Sequence, residues 1–93
     1  MTTELLTKNP QVMSTELPDG GSVLLDLSSE LYFGLNAVGT KIWDYIGDGA
    51  TEAEIIDRLD AAYDDVDRAT LSRDAISLLA DLKERELLVS ASS

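Results

Sequence analysis

The sequence contains no cysteine and no histidine. Without thiols no disulfide forms. Without thiolates or imidazoles, Cys- and His-ligated zinc sites, iron–sulfur clusters and every mechanism that needs either group are excluded. Small secreted domains commonly rely on disulfides, so their absence points to a cytoplasmic protein. Cations are scarce: seven Lys and Arg face 18 Asp and Glu, for a net charge of −11. Such an excess repels phosphate backbones and anionic headgroups, which argues against nucleic acid and membrane as partners. The same charge favours solubility. No apolar run approaches the roughly 20 residues that span a bilayer. The opening MTTELLTKNP lacks the basic region and apolar core of a signal peptide. With 93 residues, one domain with a modest core is expected.

What is present changes period along the chain. Residues 1–9 read as a flexible N-terminus and 10–90 as a single domain. QVMSTEL, residues 11–17, alternates as a strand, with Met13, Thr15 and Leu17 on one side. PDGG, residues 18–21, is turn chemistry. SVLLDL, residues 22–27, reads as a second strand with Val23, Leu25 and Leu27 on one face, and LYFGL, residues 31–35, as a third. From Asn36, a good N-cap, the apolar spacing becomes helical through Val38, Ile42, Tyr45 and Ile46, and Gly47 and Gly49 end it. Thr51 and Glu54 form a capping-box pattern at the head of a second helix. Asp67 stands where it can cap a third, running to about Arg85; LLV, residues 87–89, is short and β-prone. The expected class is α+β: a three-stranded antiparallel meander followed by three helices, winged-helix-like.

The third helix carries three stripes at 100° per residue. Leu71, Ala75, Leu78, Leu79 and Leu82 share one; Thr70, Asp74, Ser77 and Asp81 share a polar one. The remaining side holds Ala69, Arg73, Ile76, Ala80 and Lys83. That side either completes a wide core face or meets a second surface.

Catalytic patterns are nearly absent. No serine sits in a G-x-S-x-G elbow, and GDGA, residues 47–50, lacks the Lys and Ser/Thr of a phosphate loop. DDVD, residues 64–67, lacks the glycine and final glutamate of a calcium loop and suits a helix N-terminus instead. No enzyme activity, no metal and no cofactor are expected. A winged-helix nucleic-acid module needs a basic recognition helix. Here Arg68, Arg73, Lys83 and Arg85 are offset by Asp74, Asp81, Glu84 and Glu86. A carrier protein needs Asp-Ser-Leu at a helix start, and DLSSEL falls between strands. Peptide capture by strand addition remains. LYFGL has no Lys or Pro to blunt an edge, and Gly34 allows close approach of another chain. If it is an edge, its second apolar face lines a peptide groove; otherwise Tyr32 covers the sheet with its hydroxyl in water.

The ordered set LLDL…YFGLN-x-x-G-x-x-I-W (24–43), TEAEIIDRL…Y-D-D-V-D (51–67) and RDAISLLADLKERELL (73–88) resembles the PqqD-like family. These are peptide-recognition elements of pathways that modify ribosomally made peptides. The chain looks most like the stand-alone version of lasso-peptide pathways. It departs from the family pattern at Glu30 and Glu86, where glycine is frequent; both positions are expected to lie outside the groove. The resemblance implies a non-catalytic protein that holds a precursor's leader as an added strand, against the third helix. Carried over by position, the contacts are Leu31, Tyr32, Phe33, Gly34 and Leu35 on the strand. On the helix they are Arg73, Ile76, Leu79, Ala80 and Lys83. The implied partners are the precursor leader peptide and a separate leader protease or other modifying enzyme. A chaperone presenting a precursor to a radical SAM enzyme is the alternative.

Overall fold

The computed structural model describes residues 4–47 and 49–91. In chain order the elements are β1 (Leu5–Lys8), β2 (Val12–Glu16), β3 (Ser22–Asp26), β4 (Leu31–Leu35), α1 (Ala37–Ile46), β5 (Ala50–Thr51), α2 (Glu52–Ala62), α3 (Arg68–Glu84) and β6 (Leu88–Ala91). They form two three-stranded antiparallel sheets, ordered β5-β1-β6 and β2-β3-β4, with three helices. The α+β class and the β2-β3-β4 meander are as the sequence implies.

The N-terminus differs from its reading as a loose segment. Leu5–Lys8 is the central strand of the first sheet, pairing Leu6 with both Ala50 and Ser90. Leu6 is fully buried, and Asn9 donates through Nδ2 to the Glu86 carbonyl at 2.8 Å. Residues 1–3 of the expected flexible segment lie outside the described residues.

The helix ends follow local chemistry. Asn36 Oδ1 accepts from the Gly39 amide at 2.8 Å, and Thr51 with Glu54 closes the capping box in both directions. Each bond satisfies an amide the helix leaves orphaned. Asp67 holds the N-cap position of α3, but its side chain makes no capping bond. At the other end of α3, Leu87 N donates to Leu82 O and Glu86 N to Lys83 O, the paired bonds of a Schellman turn. The turn buries Leu87 against the helix's last apolar turn, where Leu82 is also buried.

The core lies between the two sheets and the helices, with Leu24, Ile42, Ile46, Ile55, Leu59 and Leu82 fully buried. On β3 the buried set is Ser22, Leu24 and Asp26, while Val23 and Leu25 are half-buried and Leu27 is exposed. The polar members are satisfied there: Ser22 and Thr40 share a 2.8 Å hydrogen bond, and Asp26 accepts from Ser28.

Candidate functional site

Among the described residues, β4 has a strand on one side only. Its other edge is open, and two turn bonds fix which groups face outward. Leu27 N donates to Gln11 O, so the odd-numbered residues of β3 turn their backbone groups to β2. Glu30 N donates to Asp26 O, so the even-numbered ones turn to β4. Backbone direction alternates along a strand, and β4 pairs Asp26 with Leu31, Leu24 with Phe33 and Ser22 with Leu35. Leu31, Phe33 and Leu35 therefore bond inward to β3. The amides and carbonyls of Tyr32 and Gly34 face the open edge, and a Cβ added at Gly34 would meet nothing within 4 Å.

Two hollows flank this edge. The first, about 200 Å³, lies at the start of β4; Leu31, Tyr32 and Phe33 form one wall, and Arg85, Glu86 and Leu87 the other. The Arg85 guanidinium sits over the Phe33 ring, 5.0 Å from its centroid, and ties the strand to the end of α3. The second hollow, about 340 Å³, lies between α1 and α3 just beyond the end of β4, where Asn36, Val38 and Ile42 face Leu71, Asp74 and Leu78. Residues 31 and 85 line the first hollow and residues 36 and 74 line the second, so β4 and α3 run past these hollows in opposite senses. At about 3.3 Å per strand residue and 1.5 Å per helical residue, both stretches span about 16 Å. The helix presents to that side a single stripe, Asp74, Leu78 and Arg85, at spacings of four and seven.

The expected contact residues separate into groups. Leu31 and Tyr32 are 67% and 72% exposed, Gly34 is exposed, and Phe33 is half-buried under Arg85. Leu35 is only 6% exposed and belongs to the core. On α3, Leu79 is 2% exposed and packs in the core as well. Arg73, Ile76, Ala80 and Lys83 are exposed but line neither hollow. Lys83 Nζ instead reaches Glu4 at 2.8 Å, beside β1 and β6. The core stripe of α3 has two flanks, and the flank nearer β4 carries Asp74, Leu78 and Arg85. These three had no mark in the sequence beyond their helical spacing.

Glu30 and Glu86 both have φ of 61°, the left-handed conformation that glycine takes freely. The two departures from the family pattern therefore keep a glycine's backbone. Contrary to expectation, Glu86 does line the first hollow. Asp26, at the hollow's floor, has a carboxyl held below the usual range by hydrogen bonds from the Ser28 side chain and backbone, and also from Ser29. An ionised Asp26 thereby fixes the turn that leads into β4. Among the described residues no group of three or more potential metal ligands gathers. What the arrangement offers is main-chain donors and acceptors on an open edge, with a hollow of mixed polarity near its start and a mainly apolar one beyond its end.

The family model described as Coenzyme PQQ synthesis protein D (PqqD) matches residues 21–88. Two solved structures share the fold. TbiB1 in complex with the TbiA(beta) leader peptide is 40% identical, with a TM-score of 0.77 over 88% of this chain and 93% of that one. Lasso peptide synthetase B1 complexed with the leader peptide is 28% identical, with a TM-score of 0.76 over 90% of this chain and 96% of that one. No curated protein matches the chain.

Proposed function

The chain belongs to the PqqD family, and from that premise we propose that it binds the leader segment of a ribosomally made precursor peptide. The leader adds as an antiparallel strand to the open edge of β4 and lies against the Asp74–Leu78–Arg85 flank of α3. The protein is non-catalytic and delivers the precursor to a separate enzyme, the leader protease of a lasso-peptide pathway. The observation that carries this reading is the open β4 edge, with Tyr32 and Gly34 directing their backbone groups outward between two hollows that both have apolar walls. The leader-bound structures of similar chains support it.

The energetics set what each part contributes. Two outward residues offer up to four main-chain bonds, each worth about 0.5–1.5 kcal/mol net. Ordering a flexible leader costs about 2–5 kcal/mol, so pairing alone gives little affinity. Apolar anchors in the hollows supply the surplus, at about 1.5–3 kcal/mol for each fully buried side chain. The anchors set specificity, and the edge sets register and direction.

Titration of a fluorescently labelled TbiA(beta) leader peptide by anisotropy tests the reading. Binding in the micromolar range or tighter is expected. Tyr32→Pro and Gly34→Pro each remove an amide that faces the guest rather than β3, and proline is tolerated at such edge positions. Both variants keep the far-UV circular dichroism spectrum and lose most of the affinity. Full affinity in both would rule out strand addition.

A further inference from the structure

We propose that the hollow at the end of β4 is a subsite for a cationic side chain of the guest peptide, with Asp74 as the residue that selects it. The inference rests on the strand-addition reading and assigns a charge preference to one end of it. A guest antiparallel to β4 has its N-terminal end beside Asn36, where this hollow opens. The walls include Val38, Ile42 and Leu78, which suit the methylene stem of a lysine or arginine. Among the described residues Asp74 is the one charged residue lining the hollow, and it is exposed. Tyr63 and Val66 complete the wall, and the turn that supplies them also carries Asp64, Asp65 and Asp67, all exposed. The neighbouring cation, Arg68, is held by Asp57 at 2.6 Å and Asp60 at 3.1 Å, so it does not neutralise this rim.

The other end of the groove is different. There Arg85 stands with Asp26 and Glu86, so charges of both signs are present. The two ends thus differ: among the described lining residues the charge is one carboxylate, Asp74, where the guest's N-terminal stretch lies, and of both signs where its C-terminal stretch leaves. An apolar stem with a cationic tip fits the first end, and an acidic side chain does not.

The probe is the TbiA(beta) leader peptide with single lysine or single glutamate substitutions, placed through its N-terminal half and, as a control, its C-terminal half. Binding is measured by anisotropy at low salt. The control half reports the general attraction of a −11 protein for positive charge. At one or two N-terminal positions lysine binds about two- to five-fold tighter than glutamate beyond that baseline, the range of an exposed ion pair. The excess disappears in Asp74→Asn, inverts in Asp74→Lys and is suppressed by about 0.5 M salt. Equal preferences in both halves, or an excess that survives Asp74→Asn, would overturn the subsite while leaving strand addition intact. Failure of the parent peptide and every variant to bind would overturn both.

Discussion

At the scale of single residues, Glu30 and Glu86 carry the clearest cost in the chain. Each holds a left-handed backbone at φ 61°, and an L-residue there loses about 1 kcal/mol or more relative to glycine. Glu30 closes the turn into β4, and Glu86 is the hinge of the Schellman turn that ends α3. Glu86 lines the first hollow, and Glu30 directly precedes the strand that forms its other wall. We expect Glu30→Gly and Glu86→Gly each to stabilise the fold by about 1 kcal/mol, which for a domain of this size raises Tm by roughly 4–8 °C. Differential scanning calorimetry checks this; an unchanged or lowered Tm would show that the two side chains contribute contacts that outweigh the backbone strain. The sequence marked both positions as departures from a glycine pattern, but it did not show that the backbone stays glycine-like. It also misled about β3. Val23, Leu25 and Leu27 make the more apolar face, yet the buried one is Ser22, Leu24 and Asp26. Hydrogen bonds to Thr40 and Ser28 satisfy the two polar side chains, and pattern alone does not report such partners.

At the scale of elements, what was legible was local. Asn36, the Thr51–Glu54 box and the alternation of β2 to β4 all signal through neighbours a few residues away, and each element forms where those signals stand. β1 was missed because its reasons are distant. LLTK has no alternation of its own, and its partners are Ala50–Thr51 and Leu88–Ala91. The flanks of α3 were ambiguous for the same reason: helical spacing defines stripes but not which neighbour each meets. The candidate site was therefore half legible. The strand side was marked by an unblunted apolar run, while the helix side needed the tertiary arrangement that sets Arg85 beside β4 and Leu78 opposite Asn36. A pair of substitutions separates the two flanks. Ile76 is 45% exposed and lines neither hollow, so Ile76→Asp leaves leader affinity within about two-fold. Leu78→Ala removes apolar wall from the second hollow and weakens binding by about five-fold, the equivalent of roughly 1 kcal/mol of lost burial. The reverse ranking in an anisotropy titration would place the guest on the opposite flank of α3.

At the scale of the whole molecule, a net charge of −11 on 93 residues acts against compaction as well as against phosphate-rich partners. Five cations are already engaged: Lys8 over Trp43, Arg58 over Tyr45, Arg85 over Phe33, Arg68 with Asp57 and Asp60, and Lys83 with Glu4. Most carboxylates therefore repel one another through solvent, and salt screens that repulsion over about 10 Å at 0.1 M. Acid works in two directions. Lowering the net negative charge relieves repulsion and favours the fold. Three carboxyls, however, are held below their usual range: Asp26 by Ser28, Glu54 by the Thr51 backbone, and Glu4 by Lys83 and then Ser90. A carboxyl whose folded pKa is depressed contributes stability above its unfolded pKa and loses it as pH falls through the lower, folded value. The fold is thus expected to hold or gain stability from pH 7 to about 5, and to lose it below about pH 4, where the turn into β4, the α2 cap and the β1–α3 contact give way. Raising salt to about 0.5 M at pH 7 raises Tm, and does so less at pH 4.5, where fewer charges remain to screen. A Tm that falls with salt at pH 7 would show that the paired charges outweigh the unpaired excess, and that the acidity is structural rather than a repulsion the fold tolerates.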